Sequence, residues 1–134
     1  MWARDMLAVD TNIIVRLVTN DDPGQVSRAV ALFERERIFI CKTVLLEVEW
    51  VLRFSYQLPR EIVASSLRKV IGLGNVTVEN QHEVSVALDW HEQGLDFADA
   101  LHLASSGRAK CFASFDQKMA KRARKLQAIE VVAV

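Results

Sequence analysis

"LAVDTNIIVRL", residues Leu7 to Leu17, decides the fold: an apolar run, one aspartate, then a second apolar run. The first run, Met6 to Val9, is too short for a helix and reads as a buried strand. The second reads as a short helix from Asn12 to Val18. Asp10 sits at the junction. A carboxylate there either caps the helix that follows or awaits a positive charge.

The same alternation continues outward. "NDDPG" is a turn, with Pro23 suited to the first turn of a helix running to about Arg35. "IFIC" is a second strand, and a helix from Thr43 to about Phe54 follows it. Pro59 opens another helix that stops near Gly72 and Gly74. "NVTVE" is a third strand, Glu83 to His91 is helical, and Phe97 to Ser106 forms a further helix ended by Gly107. "KCFAS" is a fourth strand, Gln117 to Lys125 is helical, and "IEVVAV" is the last strand. No repeat, linker or low-complexity segment interrupts this order. Short apolar strands alternating with helices predict an α/β fold with a parallel sheet covered on both faces.

A chain of 134 residues, about half of them hydrophobic, suits a single domain over residues 1–134 with an ordinary core. No apolar run approaches the roughly 20 residues of a membrane span. Arg4, Asp5 and Asp10 interrupt any signal-peptide h-region. Met1 to Asp5 read as a disordered extension or a misassigned start, with Met6 the alternative initiator. Cys41 and Cys111 form no CxxC pair, which suggests reduced, packed thiols in a cytoplasmic protein.

Seventeen basic residues balance 17 acidic ones, so the global charge gives no support for nucleic-acid binding. The distribution is uneven. From Gly107 onward seven basic residues face only Asp116 and Glu130, leaving this tail near +5 and the rest near −5. It reads either as a solvated helix face or as a phosphate-facing flank beside an acidic centre.

Four acids stand out. Asp10 and Asp116 each follow a strand and precede a helix, where capping alone would explain them. Glu49 has Arg53 four residues on, an ordinary solvent-exposed ion pair by this reading. Glu47 instead shares a helical stripe with Val44, Val51 and Phe54, where an unpaired carboxylate is expensive to bury. In "GLDFADALHLA", Asp96 is an N-cap, and capping explains Asp99 only in part.

Residues just after parallel strands gather at one edge of the sheet, where open α/β sheets bind ligands. Asp10, Glu47, Asp99 and Asp116 are all expected there. Crowded carboxylates repel, so at least one should have a raised pKa unless a cation is present. Oxygen-only ligands suit Mg²⁺ or Mn²⁺. His82, His91 and His102 share no spacing and read as surface or packing residues.

In order, "VDTNIIVRLVTNDDPGQ", "TVLLEVEWVLR", "DFADALHLA" and "FASFDQKM" resemble the PIN-domain ribonucleases, and among them the VapC-type toxins of prokaryotic toxin–antitoxin pairs. The resemblance runs over nearly the whole chain. It implies a three-layer α/β/α sandwich with a central parallel sheet. Asp10, Glu47, Asp99 and Asp116 would then be the catalytic acids that hold Mg²⁺ or Mn²⁺ for RNA hydrolysis. Asn12, Ser114 and Thr11 would be polar residues behind them, and Asp96 an additional acid. Homodimers and an antitoxin laid over the active site, docked on apolar residues of the early helices, are also implied.

Rival readings fit less well. A phospho-receiver domain needs an acidic pair after the first strand and an aspartate near mid-chain, yet none lies between Asp22 and Asp89. A haloacid-dehalogenase-type phosphatase needs Asp-x-Asp, and Asn12 occupies the second position. Two alternatives keep the fold: a PIN nuclease of RNA processing or decay without an antitoxin, and a non-catalytic binding module.

Overall fold

Asp22 ends the turn before the second helix by accepting a hydrogen bond from Gln25 N (3.1 Å), with Pro23 at the first helical position. Such local signals set most boundaries in the computed structural model, which describes residues 5–126 and 128–134. Of the extension expected at residues 1–5, residues 1–4 lie outside them. The chain divides into two compact units, Met1–Glu79 and Asn80–Val134.

The first unit contains β1 (Leu7–Ala8), α1 (Thr11–Val18), α2 (Pro23–Arg35), β2 (Ile38–Ile40), α3 (Lys42–Trp50), a π-helical turn (Val51–Ser55), α4 (Arg60–Ile71) and β3 (Val76–Val78). Its strands pair in parallel in the order β1-β2-β3, with Leu7 opposite Ile38 and Ile38 opposite Val76. Ile38, Ile40, Val76 and Val78 are buried, whereas Thr77 is exposed, as the period of two in a strand requires. Ile14 and Val15 of α1, Leu45, Val48 and Leu52 beyond β2, and Val63 and Leu67 of α4 complete the core.

The helix expected from Thr43 to Phe54 is not uniform. Beyond Trp50 it widens into the π turn, closed by Tyr56 N donating to Val51 O (3.2 Å). Tyr56 then ties this turn to the preceding helices: its hydroxyl donates to Asp21 Oδ2 (2.6 Å) and accepts from Arg16 Nη1 (3.0 Å).

Asn75 fastens α2 to the third strand. Its side-chain amide donates to the carbonyls of Phe33 (2.6 Å) and Glu36 (2.8 Å), at the end of α2, where intrahelical partners run out. Removing a donor orphans part-buried carbonyls, so Asn75→Ala is expected to cost about 1–3 kcal/mol. Urea unfolding checks this, and an unchanged midpoint would show that water replaces the amide.

The second unit contains α5 (Gln81–Glu92), α6 (Phe97–Ser105), β4 (Phe112–Ser114), α7 (Gln117–Lys125) and β5 (Val131–Ala133). Strands β4 and β5 are parallel, with Ser114 opposite Ala133, and α7 is their crossover. Val84, Ala87 and Leu88 of α5 pack with Phe97, Ala100 and Leu103 of α6 as buried residues. His91, only 1% exposed, turns out to be a packing residue: Nδ1 donates to Leu95 O (2.8 Å) and the ring meets Phe97 edge-on. Gly94 reverses the chain between the two helices at φ +118°, a conformation that a side chain would strain. Together these contacts set where α6 begins.

Candidate metal centre

Strand β1 delivers Asp10 to the start of α1, and the aspartate caps that helix: Oδ1 accepts from Thr11 N (2.7 Å). Thr11 is 5% exposed, and its hydroxyl donates to Glu47 Oε1 on α3 (2.6 Å). One buried threonine therefore binds both acids of the first unit. The sequence offered only its place beside Asp10 as a sign of this. Asn12, one residue further, is exposed.

Glu47 corrects the expectation of a buried carboxylate: it is exposed, whereas Glu49 is 1% exposed and paired with Arg53 at 2.6 Å. The reason is the phase of α3. Its core stripe runs through Leu45, Val48, Glu49 and Leu52, and the Val44–Glu47–Val51 stripe lies at its margin. Glu47 needs no cation to balance burial. What ties it to the Asp10 segment is the threonine contact.

In the second unit, Asp96 caps α6, Oδ2 accepting from Ala98 N (3.1 Å) and Asp99 N (3.4 Å). Asp116 caps α7, with Oδ1 accepting from Met119 N (2.9 Å) and its own backbone N–H donating to Ser114 Oγ (3.0 Å). The capping readings are therefore right. They do not exclude ligation, because a carboxylate carries two oxygens and the caps of Asp10 and Asp116 each occupy one.

Asp99 has no capping duty. It is half-buried, and its carboxylate accepts no hydrogen bond among the described residues. Partial burial pushes its pKa above the ordinary 3.8, the nearby Asp96 and Asp116 carboxylates push it further, and His102 opposes them. The crowding expected from the sequence thus adds to the shift, after burial.

The described residues thus hold two sets, Asp10 with Glu47 in the first unit and Asp99 with Asp96 and Asp116 in the second. Among the described residues no group of three or more acids, histidines or cysteines gathers closely enough to be recognised as a cation site. The donor chemistry nonetheless suits a hard cation: carboxylate and hydroxyl oxygens, with repulsion at Asp99 that a positive charge would relieve.

The family model for the PIN domain matches residues 7–125. The chain belongs to the PIN-domain family. All four acids of this PIN domain fall inside the match, which spans parts of both units. Its parallel strand pairings agree with the expected α/β/α class, as do the seven α-helices among the described residues. Among solved structures it is similar to Mycobacterium tuberculosis VapC20, described as a sarcin-ricin loop cleaving toxin. The two are 16% identical, the match covers 95% of this chain and 97% of that one, and the TM-score is 0.43. No curated protein matches the chain.

Proposed function

We propose that this PIN domain is a Mg²⁺- or Mn²⁺-dependent endoribonuclease and the toxin of a toxin–antitoxin pair. The observation that carries the reading is that one family match encloses Asp10, Glu47, Asp99 and Asp116 in the order of the acidic motifs. These four acids hold the cation, with Thr11, Asn12, Ser114 and Asp96 positioning them, in one PIN domain formed by the whole chain. A divalent ion bound there lowers the pKa of an attacking water and neutralises charge on the phosphodiester oxygens. The protein's own part is to hold Asp99 half-buried beside Asp96 and Asp116, where a cation relieves the repulsion, to hold Asp10 and Asp116 by their caps, and to hold Glu47 through the Thr11 hydroxyl.

The basic helix α7 starts at Asp116 and exposes Lys118, Lys121, Arg124 and Lys125, a flank suited to RNA phosphates. Homodimerisation, a cytoplasmic location and a partner antitoxin complete the toxin reading. Among the described residues no helix is long and apolar enough to cross a membrane. Cys41 and Cys111 are free thiols.

Cleavage of a mixed RNA pool by purified protein, with Mn²⁺, with Mg²⁺ and with chelator, tests the reading. Metal-dependent fragments are expected, and their ends give the cleavage motif. Metal should also raise the melting temperature. Binding to the folded state stabilises by about 2.7 kcal/mol when metal stands at 100 times Kd. A calorimetric scan without any metal-dependent shift would count against the site itself.

A further inference from the structure

Helices α1 and α2, joined through the turn at 19–22, form a hairpin with a groove of about 420 Å³ between them. Three arginines line it, Arg16, Arg28 and Arg35, together with the amides of Asn12 and Gln25, over a floor that includes Leu32. No acid lines it. We propose that this groove binds the sugar–phosphate backbone of single-stranded RNA, which rests on the nuclease reading and gives that site its substrate track.

The three cations differ in how far they are committed. Arg16 donates to Gln25 Oε1 (2.7 Å) and to the Tyr56 hydroxyl, with Asp21 at 3.9 Å, so it is pinned as part of the wall. Arg35 is largely exposed and has Glu36 at 3.6 Å, a weak surface pairing. Arg28 has no ion pair or hydrogen bond among the described residues and is exposed. The Gln25 amide oxygen is taken by Arg16, whereas the exposed Arg28 guanidinium has donors with no protein acceptor among the described residues. Phosphate oxygens are acceptors only, and guanidinium groups suit them.

Position favours RNA over an acidic peptide. Asn12 lines the groove and lies two residues beyond Asp10, so the groove opens beside the carboxylate that caps α1. A strand whose scissile phosphate is at the acids has its neighbouring phosphates beside the hairpin. The apolar floor gives ribose or base a surface to cover. Balanced overall charge conceals this patch, because its arginines are spread over 20 residues of sequence and interspersed with acids that do not line the groove.

The test is fluorescence anisotropy of a labelled poly(U) strand with chelator present, using wild type, Arg28→Ala, Arg28→Glu and Asp99→Asn. Arg28→Ala should weaken binding several-fold and flatten the slope of log affinity against log salt by about 0.7, one single-strand phosphate contact. Arg28→Glu should weaken it further, and Asp99→Asn should bind no more weakly than wild type. Equal affinity of wild type and both Arg28 variants would overturn the proposal, as would no binding by wild type. Capture of poly-glutamate but not poly(U) through Arg28 would overturn it in favour of an acidic peptide. Cleavage of an RNA pool, scored separately, distinguishes the two readings. Binding through Arg28 without cleavage leaves the groove and removes the nuclease, whereas cleavage indifferent to Arg28 does the reverse.

Discussion

Asp99→Asn is expected to reduce RNA cleavage by at least about 100-fold, the upper end of what losing a supporting partner of a metal ligand costs. Without metal, the variant should be no less stable than wild type. Asparagine keeps the shape of the side chain and removes its charge. In the folded protein that charge is opposed by partial burial and by Asp96 and Asp116. An acid whose folded pKa is raised costs nothing below its unfolded pKa, where both states are protonated. It destabilises the fold increasingly as pH rises through the interval up to the folded pKa.

Metal-free wild type should therefore lose stability as pH climbs just above the ordinary value of 3.8, and Asp99→Asn should lack that part of the decline. With saturating Mg²⁺ the order reverses, because the cation offsets the repulsion only where the carboxylate is present. Paired melting curves across pH, with metal and with chelator, read both effects. A variant that cleaves normally removes Asp99 from the site. One that unfolds without metal would falsify the view that its charge is a burden on the fold.

Much of this was legible because the chain announces its junctions. Asp10, Asp22, Asp96 and Asp116 each begin a helix by accepting backbone hydrogen bonds, and all four of those helices start within a residue of where spacing put them. The same chemistry made the candidate site ambiguous, since a capping aspartate and a ligand look alike in sequence. The phase of α3 was not legible. Its two stripes, one through Glu47 and one through Glu49, carry similar apolar residues, and only packing against α1 and α4 chooses between them. Thr11 was hard to rank for a related reason: its contact with Glu47 spans 36 positions. The arginine groove was hidden by the neutral total, because charge segregates in space rather than along the chain.

Arg53→Ala is expected to cost about 3–5 kcal/mol, a large share of the stability of a chain this size. Glu49 is 1% exposed and accepts from Arg53 Nε at 2.6 Å and Nη2 at 3.3 Å, a two-pronged pair whose arginine reaches inward from partial exposure. Removing the arginine leaves a carboxylate on the Leu45–Val48–Leu52 face without its bidentate partner. Were this an exposed pair four residues apart, the same change would cost only about 0.3–0.5 kcal/mol. Losing the guanidinium's contact over the exposed Phe54 ring, 4.4 Å from its centroid, adds about 0.5–1 kcal/mol at most. Denaturant unfolding therefore separates the buried reading from the exposed one by a wide margin. A double change, Glu49→Leu with Arg53→Met, sharpens it. Apolar replacement of a buried pair is often neutral or stabilising, and leucine continues the stripe that Glu49 interrupts. Most of the lost stability should return in the double variant, whereas a cost near that of Arg53→Ala would mean that the pair itself stabilises this face.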